Sequence, residues 1–281
     1  MSEFFIVIPT HNSADYLERC LASILLTQPG SHRVHVHVQD NSSTDDTRKI
    51  AEAWAARGVT FSSENDRGIY DAINRAAKSI RTRQIMTWLG SDDMLLPGTL
   101  ATVASIFNEL PNVEWLTGLP FIGRDDKGNF TPWGQQKFTR KNLSAGLHDG
   151  RRKNFIMQEG TFWRSELWLD SGGLNPEFRL AGDWDLWRRF ARTAALYTVD
   201  FSLARFTQRE GQASADLEGY YKEVDAANRE EAVKDRKFYR LMRSPQDGSW
   251  KVKSETLRFF AKSHPHEKRF SNILNKLWPH A

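Results

Sequence analysis

Ser91-Asp92-Asp93 sets two adjacent carboxylates at the end of an apolar run, Ile85-Met86-Thr87-Trp88-Leu89-Gly90, that reads as a buried strand. Carboxylates held together repel, and removal from water makes the repulsion worse. A divalent cation reverses that balance, because hard metals take oxygen ligands, and a diphosphate bridged by the metal would complete the shell. The chemistry indicated is a metal–nucleotide site. The same pair also reads as a turn that caps a helix, since Pro97-Gly98 and an apolar helical pattern follow.

The elements ahead of the pair give it a context. Phe4-Phe5-Ile6-Val7-Ile8 is apolar throughout, as a strand covered on both faces should be, and Pro9-Thr10-His11-Asn12-Ser13 breaks it. Leu17, Cys20, Leu21, Ile24 and Leu25 recur at helical spacing, and Pro29-Gly30 ends that unit. Val34-His35-Val36-His37-Val38 is a second strand that stops at Gln39-Asp40-Asn41, before the cap-rich Ser43-Thr44-Asp45-Asp46-Thr47. A short strand at Val59-Thr60-Phe61-Ser62, the loop Glu64-Asn65-Asp66-Arg67-Gly68 and an amphipathic helix from Ile69 to Ile80 lead to the strand that delivers the acidic pair. Alternating strands and helices imply a parallel sheet with right-handed crossovers. Ligands bind beyond the carboxyl ends of such strands, and Pro9-Thr10, Asp40 and Asp92-Asp93 all fall there. No glycine fingerprint follows the first strand and no Gly-x-x-x-x-Gly-Lys loop occurs, which excludes the usual dinucleotide and P-loop readings.

The rhythm changes after the helix from Pro97 to Leu110. Val113 to Gly118 and Phe130 to Trp133 read as strands around a turn at Asp125-Asp126-Lys127-Gly128. The basic, poorly periodic stretch from Thr139 to Asn154 reads either as a mobile lid or as a disordered surface loop. Apolar character returns around Gln158-Glu159, a short helix ends at Gly172-Gly173, and a helix at Gly182-Asp183-Trp184-Asp185-Leu186-Trp187 precedes a strand at Leu196 to Val199.

Composition narrows the function class. The 281 residues suffice for one large domain or two small ones, and 40% hydrophobic content is ample for a core. Ten tryptophans exceed what a core alone requires, so exposed stacking rings and burial are both open. A single Cys20 rules out an internal disulfide framework and fits a reducing compartment. No secretory signal and no membrane-length apolar run is apparent, so a cytoplasmic protein, at most peripheral on the inner face of a membrane, is expected. The net charge of +4 resides in the tail, where Lys251 to Ala281 carries seven Lys or Arg against two Glu. The remainder is therefore about neutral, which argues against a nucleic-acid groove.

Six segments taken together resemble the family-2 glycosyltransferases. They are Ile8-Pro9-Thr10-His11-Asn12, Val38 to Asp45, Asp66 to Asn74, Ser91-Asp92-Asp93, Gln158 to Arg164 and Gly182 to Trp187, in the family's order across roughly residues 4 to 207. The resemblance implies a GT-A, Rossmann-like α/β fold over 1–212, a mostly parallel central sheet flanked by helices; the tail lies outside the resemblance, and its charged, helix-prone residues read as a helical extension over 213–281. It implies an inverting transfer of sugar from a nucleotide-diphosphate donor, most simply UDP-linked, to a carbohydrate or lipid-linked acceptor in polysaccharide, glycolipid or glycan synthesis. By that likeness Pro9, Thr10, Asn12, Asp40, Asp66, Arg67 and Asp71 would line the donor pocket. Asp92 would reach the ribose or share the cation, Asp93 would bind it, and Asp183 would be the general base. Glu159 and Trp184 are the candidates for acceptor contact. An acidic site almost free of histidine favours Mg²⁺ or Mn²⁺ over zinc.

The residues test part of this. Asp183, Leu186, Trp187 and Phe190 share one apolar helical face, so Asp183 sits at the mouth of a hydrophobic wall where desolvation raises basicity. Its other reading is a helix N-cap. Asp185, with Arg188 and Arg189 three and four residues on, reads as a surface ion pair. Asp40 also reads as the start of a cap cluster, and Asp71 as the partner of Arg75 and Lys78. In the tail, Phe270, Ile273, Leu274, Leu277 and Trp278 form a basic amphipathic pattern for membrane docking, self-packing or a homodimer contact. A non-catalytic sugar-nucleotide or glycan-binding protein on the same fold is the rival class. A nucleotidyltransferase would need a basic Gly-rich loop after the first strand, which Pro9-Thr10-His11-Asn12 does not supply.

Overall fold

Strand β1 (Glu3–Thr10) sends successive side chains to opposite faces, and that alternation founds two cores. Phe4, Ile6 and Ile8 pack with one set of helices, and Phe5 and Val7 with the other. The structure, a computed structural model, describes residues 2–28, 30, 32–124, 129–132, 137–227 and 237–256. β1 pairs in parallel with β2 (Arg33–Asp40) and with β4 (Ile85–Trp88), and β2 with β3 (Val59–Ser63). Helices α1 (Ala14–Leu25), α2 (Thr47–Ala53) and α3 (Ile69–Ala76) make the crossovers. Beyond β4 come β5 (Met94–Leu95), α4 (Thr99–Glu109), β6 (Trp115–Thr117), β7 (Phe121–Arg124) and β8 (Asn129–Pro132). Then follow α5 (Arg140–Ser144), β9 (Thr161–Arg164), α6 (Ser165–Ser171), α7 (Gly182–Thr193), β10 (Leu196–Val199) and β11 (Ala204–Gln208). The described chain ends with α8 (Leu217–Ala227), β12 (Lys237–Arg243) and β13 (Trp250–Thr256).

Nine of these strands form one sheet in the order β13-β12-β10-β6-β9-β4-β1-β2-β3, mostly parallel, with β9 antiparallel to both neighbours. A smaller sheet, β5-β11-β7-β8, stands beside it. Helices α1 and α4 bury Leu17, Leu21, Ile24, Val103 and Ile106 on one face of the large sheet. Ile73 of α3, Trp168 of α6 and Leu186, Trp187 and Phe190 of α7 cover the other. Eight of the ten tryptophans are buried, and Trp133 and Trp278 lie outside the described residues. Trp187 stacks flat on Trp88 at 5.8 Å between ring centroids and on Trp115 at 5.6 Å. Each such pair contributes about 0.5–1.5 kcal/mol beyond its buried area. The tryptophans thus bolt α7 to the sheet, so burial, not exposed stacking, accounts for those eight.

Two stretches differ from their sequence reading. Residues 237–256 form a β-hairpin on the edge of the large sheet, parallel to β10 through β12, where a helical extension is expected. The charges find partners within the sheet instead: Arg240 reaches Asp200 and, across strands, Glu255, and Lys253 lies 3.1 Å from Glu255 on its own strand. The 139–154 stretch is packed, with Leu143, Ala145 and Leu147 buried and α5 capped by Thr139, whose hydroxyl accepts from Asn142 N. Its fully buried Asp149 accepts from the N–H groups of Arg151 and Arg152. The 125–128 turn and the 270–278 amphipathic pattern lie outside the described residues.

Candidate active site

Register brings the first two strand ends side by side: Pro9 pairs with Gln39 and Thr10 with Asp40. Asp40 is nearly fully buried and its carboxylate is satisfied within the protein. It accepts from Thr10 Oγ1 at 3.1 Å, Ser63 Oγ at 2.7 Å, Ser43 N at 2.9 Å and the Ser43 hydroxyl. Burial opposes its charge, but these donors together outweigh burial and hold the carboxyl below its ordinary value. Asn12 has φ of +48°, a left-handed conformation that asparagine tolerates, and its side-chain carbonyl accepts from Thr44 N at 2.9 Å. Asn41 Oδ1 accepts from Asp66 N at 3.1 Å, which ties the third loop to the second. Burial, followed by the Asp71 charge, pushes the Asp66 carboxyl up against the pull of the Gly68 N–H and Arg75.

Asp71 does not join this wall through an open side chain, whereas the Arg67 side chain is exposed. Arg67 N donates to Asp71 Oδ2 at 3.1 Å, and Arg75 forms an ion pair with the same carboxylate at 2.8 Å. Asp71 therefore anchors the first turn of α3, as its ion-pair reading anticipates.

The acidic pair follows β4 in a tight turn closed by Asp93 N donating to Gly90 O at 3.0 Å. Glycine at 90 is required by close approach: a Cβ there would stand 2.5 Å from Asp93 Oδ2 and 3.0 Å from Asp92 Oδ1. Asp93 is 4% exposed and accepts from Thr207 N at 2.8 Å. Burial, then the charges of Glu159 and Asp92, push its carboxyl well above the ordinary range. Asp92 is bound by Arg209 Nε at 2.5 Å and by Gln212 Nε2 at 3.0 Å. Sequence reasoning missed these two, because they follow β11 in a turn with no periodicity or spacing that points back to position 92.

Near the pair stand Glu159 and Asp183, from two further elements. Glu159 belongs to a single turn, Gln158–Gly160, between the cores. Burial pushes its carboxyl up to about 7 against its own N–H, and the charges of Asp183 and Asp92 add to the rise. Asp183 is the second residue of α7, past the cap position that its alternative reading assigns it. Burial raises it to about 6, although the Trp184 N–H pulls the other way. One oxygen of each, Glu159 Oε2 and Asp183 Oδ1, is buried without a hydrogen-bond partner. Both carboxylates line a cavity of about 350 Å³.

The turn that presents Asp183 is held from three sides. Glu223 of α8 accepts from the N–H groups of Arg179, Leu180 and Ala181 at 2.9–3.0 Å and supplies a negative charge at the positive end of α7. The Tyr70 hydroxyl donates to Leu180 O at 2.9 Å. Gly182 lets the backbone pass over that ring, for a Cβ there would meet it at 2.6 Å. Asp185 pairs with Arg189 at 2.9 Å, as its spacing predicts. Trp184 does not face the cavity. It is 3% exposed, donates Nε1–H to Gly146 O at 3.2 Å and lies under the Arg188 guanidinium, about 100° around the helix from Asp183.

Among the described residues no three His, Cys, Asp or Glu side chains stand together as a ready metal shell. The donor set nevertheless fits a hard cation. It is all oxygen, and the mutual repulsion of Asp92, Asp93 and Glu159 is what a dication would relieve. Mg²⁺ commonly takes one or two carboxylates and completes its shell with phosphate and water.

The mostly parallel sheet with an acidic pair beyond its strand ends is the fold of the GT-A glycosyltransferases. S. aureus TarS, solved with UDP-GlcNAc, matches with a TM-score of 0.63 at 19% identity, over 80% of this chain and 66% of that one. The mannosyltransferase PcManGT of Pyrobaculum calidifontis, solved with GDP-Man and Mn2+, gives 0.58 at 18% identity, over 81% and 65%. The chain spans about two thirds of those solved chains. The model of glycosyl transferase family 2 matches residues 5–164, and the chain belongs to that family. A Mycobacterium bovis protein described as a PGL/p-HBAD biosynthesis glycosyltransferase is 32% identical over 202 residues, 69% of this chain and 72% of the relative. Among the described residues no helix is long and apolar enough to cross a membrane.

Proposed function

We propose that this glycosyltransferase inverts configuration, taking a sugar from a nucleoside-diphosphate donor, UDP-linked in the simplest case, with Asp183 as general base. The observation that carries the reading is the partly buried Asp183, one oxygen of which has no partner and whose carboxyl is raised to about 6, on the wall of a cavity it shares with Glu159. A base needs affinity for the proton without being protonated at neutral pH, and that value meets both demands. The acceptor oxygen would attack the anomeric carbon as the bond from that carbon to the diphosphate breaks, and the acceptor's proton would pass to Asp183.

Pro9, Thr10, Asn12, Asp40 and the Asp66–Arg67 loop would form the nucleoside wall. Asp40 would touch the base only if one of its hydroxyl partners gave way, so its first duty is to hold the loops in shape. Asp93 and Asp92 would hold Mg²⁺ or Mn²⁺, which when bound offsets charge on the leaving diphosphate. Arg209 stands beside the same carboxylates as a second cation. Glu159, whose carboxyl burial pushes up, would hold a proton more readily than an ordinary acid and donate it in a hydrogen bond to a sugar hydroxyl. The nucleotides in TarS and PcManGT make UDP and GDP the first to try.

Calorimetric titration with UDP, GDP and dTDP, each with Mn²⁺ and then with EDTA, tests the donor reading. Metal-dependent binding of one nucleotide is expected. Absence of binding to all three would remove the reading.

A further inference from the structure

The turn that follows β11 is folded around the acidic pair. Thr207 N donates to Asp93 Oδ1 at 2.8 Å near the end of the strand. Two residues on, Arg209 Nε donates to Asp92 Oδ2 at 2.5 Å. Gln212 Nε2 donates to the same oxygen at 3.0 Å and to Thr207 O at 2.6 Å, while Gln212 Oε1 accepts from Arg209 N at 3.0 Å. Both N–H bonds of that carboxamide and its oxygen are therefore committed to holding the turn against Asp92. Gly211, at φ of +77°, supplies the left-handed residue that brings Gln212 back over it.

Arg209 is held from a second side as well. Its guanidinium lies over the Tyr16 ring of α1, 5.0 Å from the centroid, in a cation–π contact. The Arg209 side chain is 34% exposed and that of Asp92 only 11%, so a solvent-side cation closes off a mostly covered carboxylate. A carboxylate oxygen that accepts from two donors has no lone pair left for a metal ion, and Asp92 Oδ2 is in that condition. Binding through Oδ1 would leave the guanidinium on the other oxygen of the same carboxylate, close enough to repel a dication.

We propose that Arg209 is the resident cation of the acidic pair, and that a divalent ion takes its place by displacing it from Asp92. This rests on the reading of Asp92 and Asp93 as metal ligands. The exchange puts two positive charges where one stood, beside Asp92, Asp93 and Glu159, and costs the Arg209 and Gln212 hydrogen bonds. The Tyr16 ring keeps the freed guanidinium beside the site. Gln208 and Ser214, on either side of the turn, line the cavity that contains Asp183 and Glu159. Release of the turn therefore changes the wall of that cavity, and occupancy of the acidic pair is felt where the base stands. Arg209 sets how tightly the ion is held.

The test is calorimetric titration of the full chain with Mn²⁺ alone, before and after substitution of Arg209. Arg209→Gln should bind Mn²⁺ more tightly by about tenfold or more, the scale of one charge-assisted hydrogen bond. Arg209→Lys keeps the charge and should stay nearer the unaltered protein. Circular dichroism checks that both variants fold. A second measurement needs no variant. Trypsin must take the Arg209 side chain into its own pocket to cut after it, so cleavage there reports release from Asp92. Mn²⁺ should speed that cut relative to cleavage elsewhere in the chain. A residue that only braced the turn, or that helped to hold the metal, would give the opposite pattern. Unchanged or weaker Mn²⁺ binding by Arg209→Gln, or a cut after Arg209 no faster with Mn²⁺, would overturn the proposal. Failure of the metal reading shows separately, as absence of Mn²⁺ binding by every form of the chain, with and without UDP.

Discussion

The two sides of the site are built on opposite electrostatic principles. On the side of β1 and β2, Asp40 is saturated with hydrogen bonds and held in its charged form below its ordinary value. On the side of Glu159 and α7, Glu159 and Asp183 are partly buried, each with one buried oxygen left without a partner, and both are raised. Hydrogen bonds dominate the first region and desolvation the second. The contrast teaches that one region is a finished scaffold and the other stores unmet polar capacity where protons can move.

The sharpest way to break the comparison is Asp183→Asn. It should lower transfer by about a hundredfold or more, the usual contribution of a general base, while calorimetry shows nucleotide affinity unchanged. Full turnover would remove Asp183 from the chemistry. The scaffold side should respond in stability instead. Asp40→Ala leaves Thr10, Ser43 and Ser63 without their acceptor and should cost on the order of 1–3 kcal/mol, read from the urea midpoint.

The pH dependence should carry the opposite signature from ordinary surface acids. Glu159 and Asp183 hold protons in the folded chain that the unfolded chain releases near pH 4. Their stabilising contribution is complete below that pH and is lost as pH rises through about 6 for Asp183 and about 7 for Glu159. Metal-free protein should therefore have a lower urea midpoint at pH 8 than at pH 5.5, by on the order of 1–3 kcal/mol, and Glu159→Gln should shrink the difference. A smaller effect is expected from Asp71→Asn. Its carboxylate pairs with Arg75 near the surface, so the loss should be about 1 kcal/mol or less, with nucleotide affinity altered little.

Legibility in the sequence followed the same division. Strands covered on both faces announce themselves as apolar runs, and Phe4 to Ile8 and Val34 to Val38 sit where their composition puts them. The acidic pair and Asp183 were legible because strand-end position and helical periodicity are local signals. The β12–β13 hairpin was not: Lys237 to Arg243 is an edge segment whose charges find partners on other strands, so its composition imitates an exposed helix. Trp184 misled because adjacency to Asp183 in sequence is a change of face on a helix. Glu223, Arg209 and Gln212 act on groups 40 or more positions away, and a single sequence carries no trace of such distances.

The contact of Glu223 with residues 179–181 also fixes an order of events in time. Synthesis proceeds from the amino terminus, so the strands and loops that carry Asp40 and Asp92-Asp93 emerge within the first hundred residues. The turn ahead of Asp183 must wait for Glu223 to leave the ribosome and fold back on it. An incomplete chain would then hold the first strand ends and the acidic pair before the turn ahead of Asp183 is clamped in place.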